Sequence, residues 1–125
     1  MADENTVTVA HKYADENGVD LPNFGVADFV SSCATLTPTQ KVQDVGTSEE
    51  ALDIDGLTAA GALCIMKNTD DTNYVEVRSG TGASNDIIKI LAGECQCWRF
   101  GSDITAPYIV ANQAAVKVQF RLIPA

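Results

Sequence analysis

His11 is the chain's one histidine, so any imidazole-based acid–base or triad chemistry would rest on it alone. It stands in TVTVAH among Val and Ala, far in sequence from any Ser or Cys in an activating context. It reads as a surface or edge-strand histidine. Four cysteines offer thiol or metal chemistry: Cys33, Cys64, Cys95 and Cys97. Cys95-Gln96-Cys97 sets two thiols at i and i+2, which on a strand is one face. Structural zinc takes four ligands, generally from paired C-x2-C-type clusters, and one C-x-C with distant partners does not supply them. The thiols therefore read as packed, reduced small hydrophobes, with a Cys64 bridge to Cys95 or Cys97 the alternative.

Two oxygen-rich stretches, Asp53-Ile54-Asp55-Gly56 and Asp70-Asp71-Thr72-Asn73, bear on calcium. Neither runs into the twelve-residue loop with its closing Glu, and Asx-rich turns arise because these side chains cap local N–H groups. Gly80-Thr81-Gly82-Ala83-Ser84 lacks the Lys and following helix of a phosphate-binding loop. Trp98 shares a strand face with Gln96 and Phe100, as a core or interface anchor or as a sugar-stacking platform. These patterns assign no catalytic, cofactor-binding or metal-binding residue, and neither an enzyme nor a cofactor is expected.

The elements that must carry these residues are short. Alternation predicts strands within Thr6–His11, Phe24–Thr35, Thr39–Val45, Glu50–Ile54, Ala62–Lys67 and Asn73–Ser79. It continues through Asp86–Leu91, Glu94–Phe100, Tyr108–Ala111 and Ala114–Ile123. In the last, Val116, Val118, Phe120 and Leu122 share one face, while Lys117, Gln119 and Arg121 share the other. Asp55-Gly56 is a strong turn pair, and Ala92-Gly93 predicts a tight hairpin between its flanking strands. The one helical candidate is Thr47–Leu52, where Thr47 and Glu50 match a capping box ended early by Asp55-Gly56. These ten candidate segments, with turns roughly every 8–12 residues, predict an all-β, antiparallel, jelly-roll-like sandwich of eight or nine short strands. The organisation expected is one domain overall: 1–23 as an N-terminal arm or edge strand with an acidic loop, and 24–125 as the sandwich.

One domain is what 125 residues accommodate, and 46% hydrophobic with 20% charged residues is a globular composition. Eight basic against seventeen acidic residues give a formal charge of -9, which opposes binding to nucleic acid or an anionic membrane. Residues 1–62 hold the whole excess; residues 63–125 balance to zero. The acidity includes Asp3-Glu4-Asn5 and Asp15-Glu16-Asn17, and reads as a solvated face or as a contact surface for a basic partner. No secretory leader pattern opens the sequence, and no apolar run approaches the ~20 residues of a membrane span. Cytoplasmic synthesis with reduced cysteines is the expectation.

The middle of the chain adds a resemblance. Val45-Gly46-Thr47-Ser48-Glu49-Glu50-Ala51-Leu52 leads into Gly61-Ala62-Leu63-Cys64-Ile65-Met66-Lys67-Asn68, then Asp70, Thr72-Asn73-Tyr74-Val75-Glu76-Val77, and Leu91-Ala92-Gly93-Glu94. This series resembles a family of small β-sandwich virion structural proteins of tailed bacteriophages, over roughly residues 45–123. The resemblance implies a non-enzymatic subunit of a phage particle, foremost a capsid decoration, or cement, protein on the outer shell. It would be made in the host cytoplasm and bind the major capsid protein or another virion protein, as a homo-oligomer, by analogy a trimer. A collar, neck or tail-attached subunit is one alternative; a host-glycan adhesin using Trp98, Tyr74 or Tyr108 is another. No functional residue carries over, since the matched positions are turn and strand residues. Val75, Val77, Leu91, Val116 and Val118 are expected between the sheets. Acidity confined to the first half favours the outer side of a shell over the side facing packaged DNA.

Overall fold

The structure, a computed structural model, describes residues 3–9, 27–33, 39–113 and 115–124. Two compact units divide the chain, Met1–Thr35 and Leu36–Ala125. In the first, β1 (Asp3–Val9) pairs antiparallel with β2 (Ala27–Cys33) from Asp3↔Cys33 to Val9↔Ala27. Both strands of that pair fall within the first unit. His11 and Asp15-Glu16-Asn17 lie outside the described residues.

Among the described residues the second unit holds eight strands: β3 (Thr39–Val45), β4 (Glu50–Ala51), β5 (Leu63–Asn68), β6 (Val75–Arg78), β7 (Asp86–Ile90), β8 (Cys95–Arg99), β9 (Tyr108–Ala111) and β10 (Val116–Ile123). They form two four-stranded sheets, β3-β10-β5-β8 and β4-β9-β6-β7, with every pair antiparallel. Counted within the unit, those orders are 1-8-3-6 and 2-7-4-5, the arrangement of a jelly roll. The all-β sandwich expected from the alternation is what the chain builds.

One apolar cluster fills the space between the sheets. Val45, Cys64, Met66, Phe100, Val116, Val118, Phe120 and Leu122 enter from the first, and Val75, Val77, Ile90, Ile109 and Ala111 from the second. Strand β10 alternates buried and exposed residues as its sequence requires, with Lys117, Gln119 and Arg121 outside. Leu91 departs from expectation: it stands 49% exposed, outside the core. It sits at the corner where the chain leaves one sheet for the other.

That corner also corrects the predicted hairpin. β7 and β8 are consecutive in sequence but belong to different sheets. Leu91–Glu94 still makes a tight turn: the Glu94 N–H donates to the Leu91 carbonyl at 3.0 Å, and Gly93 supplies a φ of 76°. The Glu94 carboxylate accepts the Leu91 N–H at 2.8 Å, and its carbonyl accepts the Asn68 N–H at 2.9 Å. The turn therefore joins sheets instead of pairing its flanks.

The helical candidate at Thr47–Leu52 is absent. Glu50 and Ala51 pair with β9 instead, and the Glu50 carboxylate reaches back to the Gly46 N–H at 3.1 Å. Its neighbour Glu49 turns to Arg78, 29 residues on, an ion pair that a local helix would forgo. The Asp55-Gly56 turn forms as expected, with φ of 56° and 73°, and closes through Leu57 N–H to the Ile54 carbonyl at 3.0 Å.

Candidate functional site

The sandwich exposes two broad surfaces, the outer faces of its two sheets. Their charges are organised in opposite ways.

On the outer face of β4-β9-β6-β7, ionic groups close on one another. Arg78 is gripped by Glu49 at 2.7 Å, Asp86 at 2.6 Å and Glu76 at 3.3 Å. Its guanidinium is held firmly charged by Glu49 and Asp86, and Glu49 is held below the usual carboxylate range by Arg78 and then by the Gly82 N–H. That N–H lies 2.8 Å from Glu49, so a carboxylate of the chain itself occupies the glycine loop considered for phosphate. Lys89 reaches Glu76 at 3.7 Å and lies 4.3 Å above the Tyr74 ring.

The outer face of β3-β10-β5-β8 carries a grid fixed by strand register. Gln40, Arg121, Ile65 and Cys97 form one row across the sheet, and Val42, Gln119, Lys67 and Cys95 form the next. Lys117 faces Asp44 on one flank, and Arg99 faces Leu63 on the other. The strands thus present four cations (Lys67, Arg99, Lys117, Arg121) against one carboxylate, Asp44. Only Lys117 approaches that carboxylate, at 4.0 Å between two well-exposed groups. Arg121 instead donates to the Gln40 side-chain oxygen and Arg99 to the Gly61 carbonyl, both at 2.7 Å. A shallow groove of about 190 Å³ runs here, lined by Gln40, Ile65, Lys67, Cys95, Gln119 and Arg121. Val42 is 57% exposed beside it.

The chain matches no protein-family model, no curated protein and no solved structure.

The residues singled out for chemistry disperse. Cys64 points into the core, where burial pushes its thiol far up, while Cys97 pairs with Ile65 on the outer face. The two lie on opposite sides of the sheet, so the alternative Cys64–Cys97 bridge has no path, and Cys64, Cys95 and Cys97 are all free. Cys95 and Cys97 share a face as their spacing requires, but that face is exposed and not packed. Burial and the neighbouring Cys95 raise the Cys97 thiol against the opposing pull of Arg99. Cys33 lies in β2.

Both oxygen-rich stretches are turn chemistry. Lys41 holds Asp55 at 2.7 Å and Asp53 at 3.3 Å. Asp70 accepts the Asn73 and Thr72 N–H groups at 2.6 and 3.0 Å, which lowers its pKa. Among the described residues, no group of three or more His, Cys, Asp or Glu side chains is placed to hold a metal ion. Trp98 packs half-buried against the core, edge-on to Phe100 with centroids 5.5 Å apart, and its indole N–H is buried without an acceptor.

Among the described residues, Asn68 is the one buried polar residue of the core, at 0% exposure. Its amide donates to the carbonyls of Asn73 at 2.8 Å and Ile90 at 3.2 Å and accepts the Asp70 N–H at 2.9 Å. It ties the β5–β6 connection to β7. The basic grid was half visible in the Lys117, Gln119, Arg121 alternation; adding Lys67 and Arg99 requires knowing that β5 lies between β10 and β8.

Proposed function

We propose that the protein is a non-enzymatic structural component of a bacteriophage virion, a decoration protein on the outer surface of the capsid. One observation carries the reading. The residues of the resemblance are the joints of the sandwich: the Gly46 N–H meets Glu50, Glu49 spans to Arg78 and Gly82, Asn68 and Asp70 fix the β5–β6 connection, and Glu94 caps the inter-sheet corner. A likeness held in joints is a likeness of architecture, and the proposed role asks for a rigid adaptor and not for catalytic geometry.

Quantitative mass spectrometry of purified particles tests it. Decoration requires a copy number comparable to the major capsid protein, in the hundreds. A small fixed number would move the protein to the collar or tail, and its absence would end the virion reading. Added back to particles that lack it, the purified protein is expected to bind and raise their resistance to heat. Unchanged disruption at saturation would refute stabilisation while leaving attachment standing.

A further inference from the structure

The geometry points to the outer face of β3-β10-β5-β8 as a docking surface for an acidic, carboxylate-bearing strip of a partner protein. This inference stands on the face itself and holds whether or not that partner belongs to a virion. The sandwich unit is acidic overall, with eleven acidic against seven basic residues in Leu36–Ala125, yet four of the seven basic residues lie on this one face. Random placement on an acidic body would leave cations scattered among carboxylates, as Lys41, Arg78 and Lys89 are. Lys67, Arg99 and Arg121 have no carboxylate partner among the described residues.

Their surroundings fit a protein strip. Arg121 commits one nitrogen to Gln40 and keeps further donors for a two-point grip on a carboxylate. Lys67 adds a point charge in the groove, and the amides of Gln40 and Gln119 can bond a main chain laid across the strands. Half-buried Ile65 and exposed Val42 add apolar contact between the charges. Nucleic acid fits less well. A duplex carries one charge per about 1.7 Å and would meet the repulsion of the acidic remainder beyond this patch. A short acidic strip ends before that repulsion accumulates.

Cys95 and Cys97 provide a built-in reporter, being exposed thiols on the same face while Cys64 is buried. The test uses the full chain and an oligoglutamate peptide at low salt, read by amide chemical shifts and by site-resolved alkylation. Shifts are expected on the outward residues of β5, β8 and β10, with alkylation of Cys95 slowed several-fold and Cys64 unreactive throughout. The double variant Lys67→Gln/Arg121→Gln is expected to lose at least tenfold in affinity with unchanged melting, while Lys89→Gln on the opposite face binds normally. Absence of shifts at millimolar peptide, shifts centred on Lys89, or undiminished binding by the double variant would each overturn the assignment. So would tighter binding of an oligothymidylate of equal charge, which would make the partner a nucleic acid.

Discussion

Arg78 and Arg121 are both outward-facing guanidinium groups on inner strands of their sheets, β6 and β10, yet they live in different company. Arg78 is surrounded by three carboxylates drawn from β6, the start of β7 and the segment before β4. Arg121 has one neutral amide beside it and open solvent above. The first is committed to holding the molecule's own loops, because its partners come from separate segments that the ion pairs tie together. The second contributes little to that and stays available. One small sandwich thus separates cohesion from contact by assigning each to a different outer face, and substitutions should separate them too.

The largest effect should come from the layer both faces share. Val118→Asp places an unpaired charge in the core at a cost of several kcal/mol and should abolish soluble expression. Gln119→Asp, one residue along the same strand, should fold and shift stability by no more than about 0.5 kcal/mol in urea titrations. Equal tolerance of both would mean that β10 presents its faces the other way round. Asn68→Ala comes next: the Asn73 and Ile90 carbonyls each lose their buried amide donor, for about 3 kcal/mol in the same assay.

Smaller again is the ionic face. Glu49 and Asp70 carry folded-state pKa values below their ordinary ones, so in the acid range the unfolded chain binds more protons than the folded. Their contribution is fully present above the ordinary carboxylate range and is lost as pH falls through the depressed folded values. Melting temperature should therefore drop from about pH 5 downwards. Glu49→Gln should lower the neutral-pH melting temperature and flatten part of that slope; an unchanged slope would mean the Arg78 cluster contributes nothing to cohesion. The smallest effect is expected for Lys67→Gln/Arg121→Gln, within about 0.5 kcal/mol of the parent. A loss as large as that of Glu49→Gln would erase the contrast between the faces.

What sequence made legible follows from how local the cause is. The side-chain period of two lies within each strand, so Val75, Val77, Val116 and Val118 were found as core and Lys117, Gln119 and Arg121 as surface. Turn chemistry is equally local, and Asp55-Gly56 and Gly93 turn where their residues demand. Partnership is not local. Ala92-Gly93 has the composition of a hairpin and serves a corner, since β7 and β8 find their hydrogen bonds in β6 and β5. Thr47 and Glu50 match a capping box, but the Glu50 carboxylate answers to Gly46 and that of Glu49 to Arg78 and Gly82. The spacing of Cys95 and Cys97 sets them on one face without saying which. The basic grid is the extreme case, because its rows exist only once strand order is known.

Strand order also governs how the sandwich can be made on a ribosome. The last two strands of the sandwich in chain order, β9 and β10, do not finish at the edges; each inserts between strands that precede it, β9 between β4 and β6 and β10 between β3 and β5. Until residues 108–123 leave the exit tunnel, β3 and β4 have no neighbour to pair with in their own sheets, and of the sandwich's pairs only β5–β8 and β6–β7 can form. Until then the sandwich stays half-paired with its core open, and the arrival of β9 and β10 closes both sheets. A nick or premature stop ahead of β9 would leave two unjoined ribbons, a product for the cell's proteases and not a smaller domain.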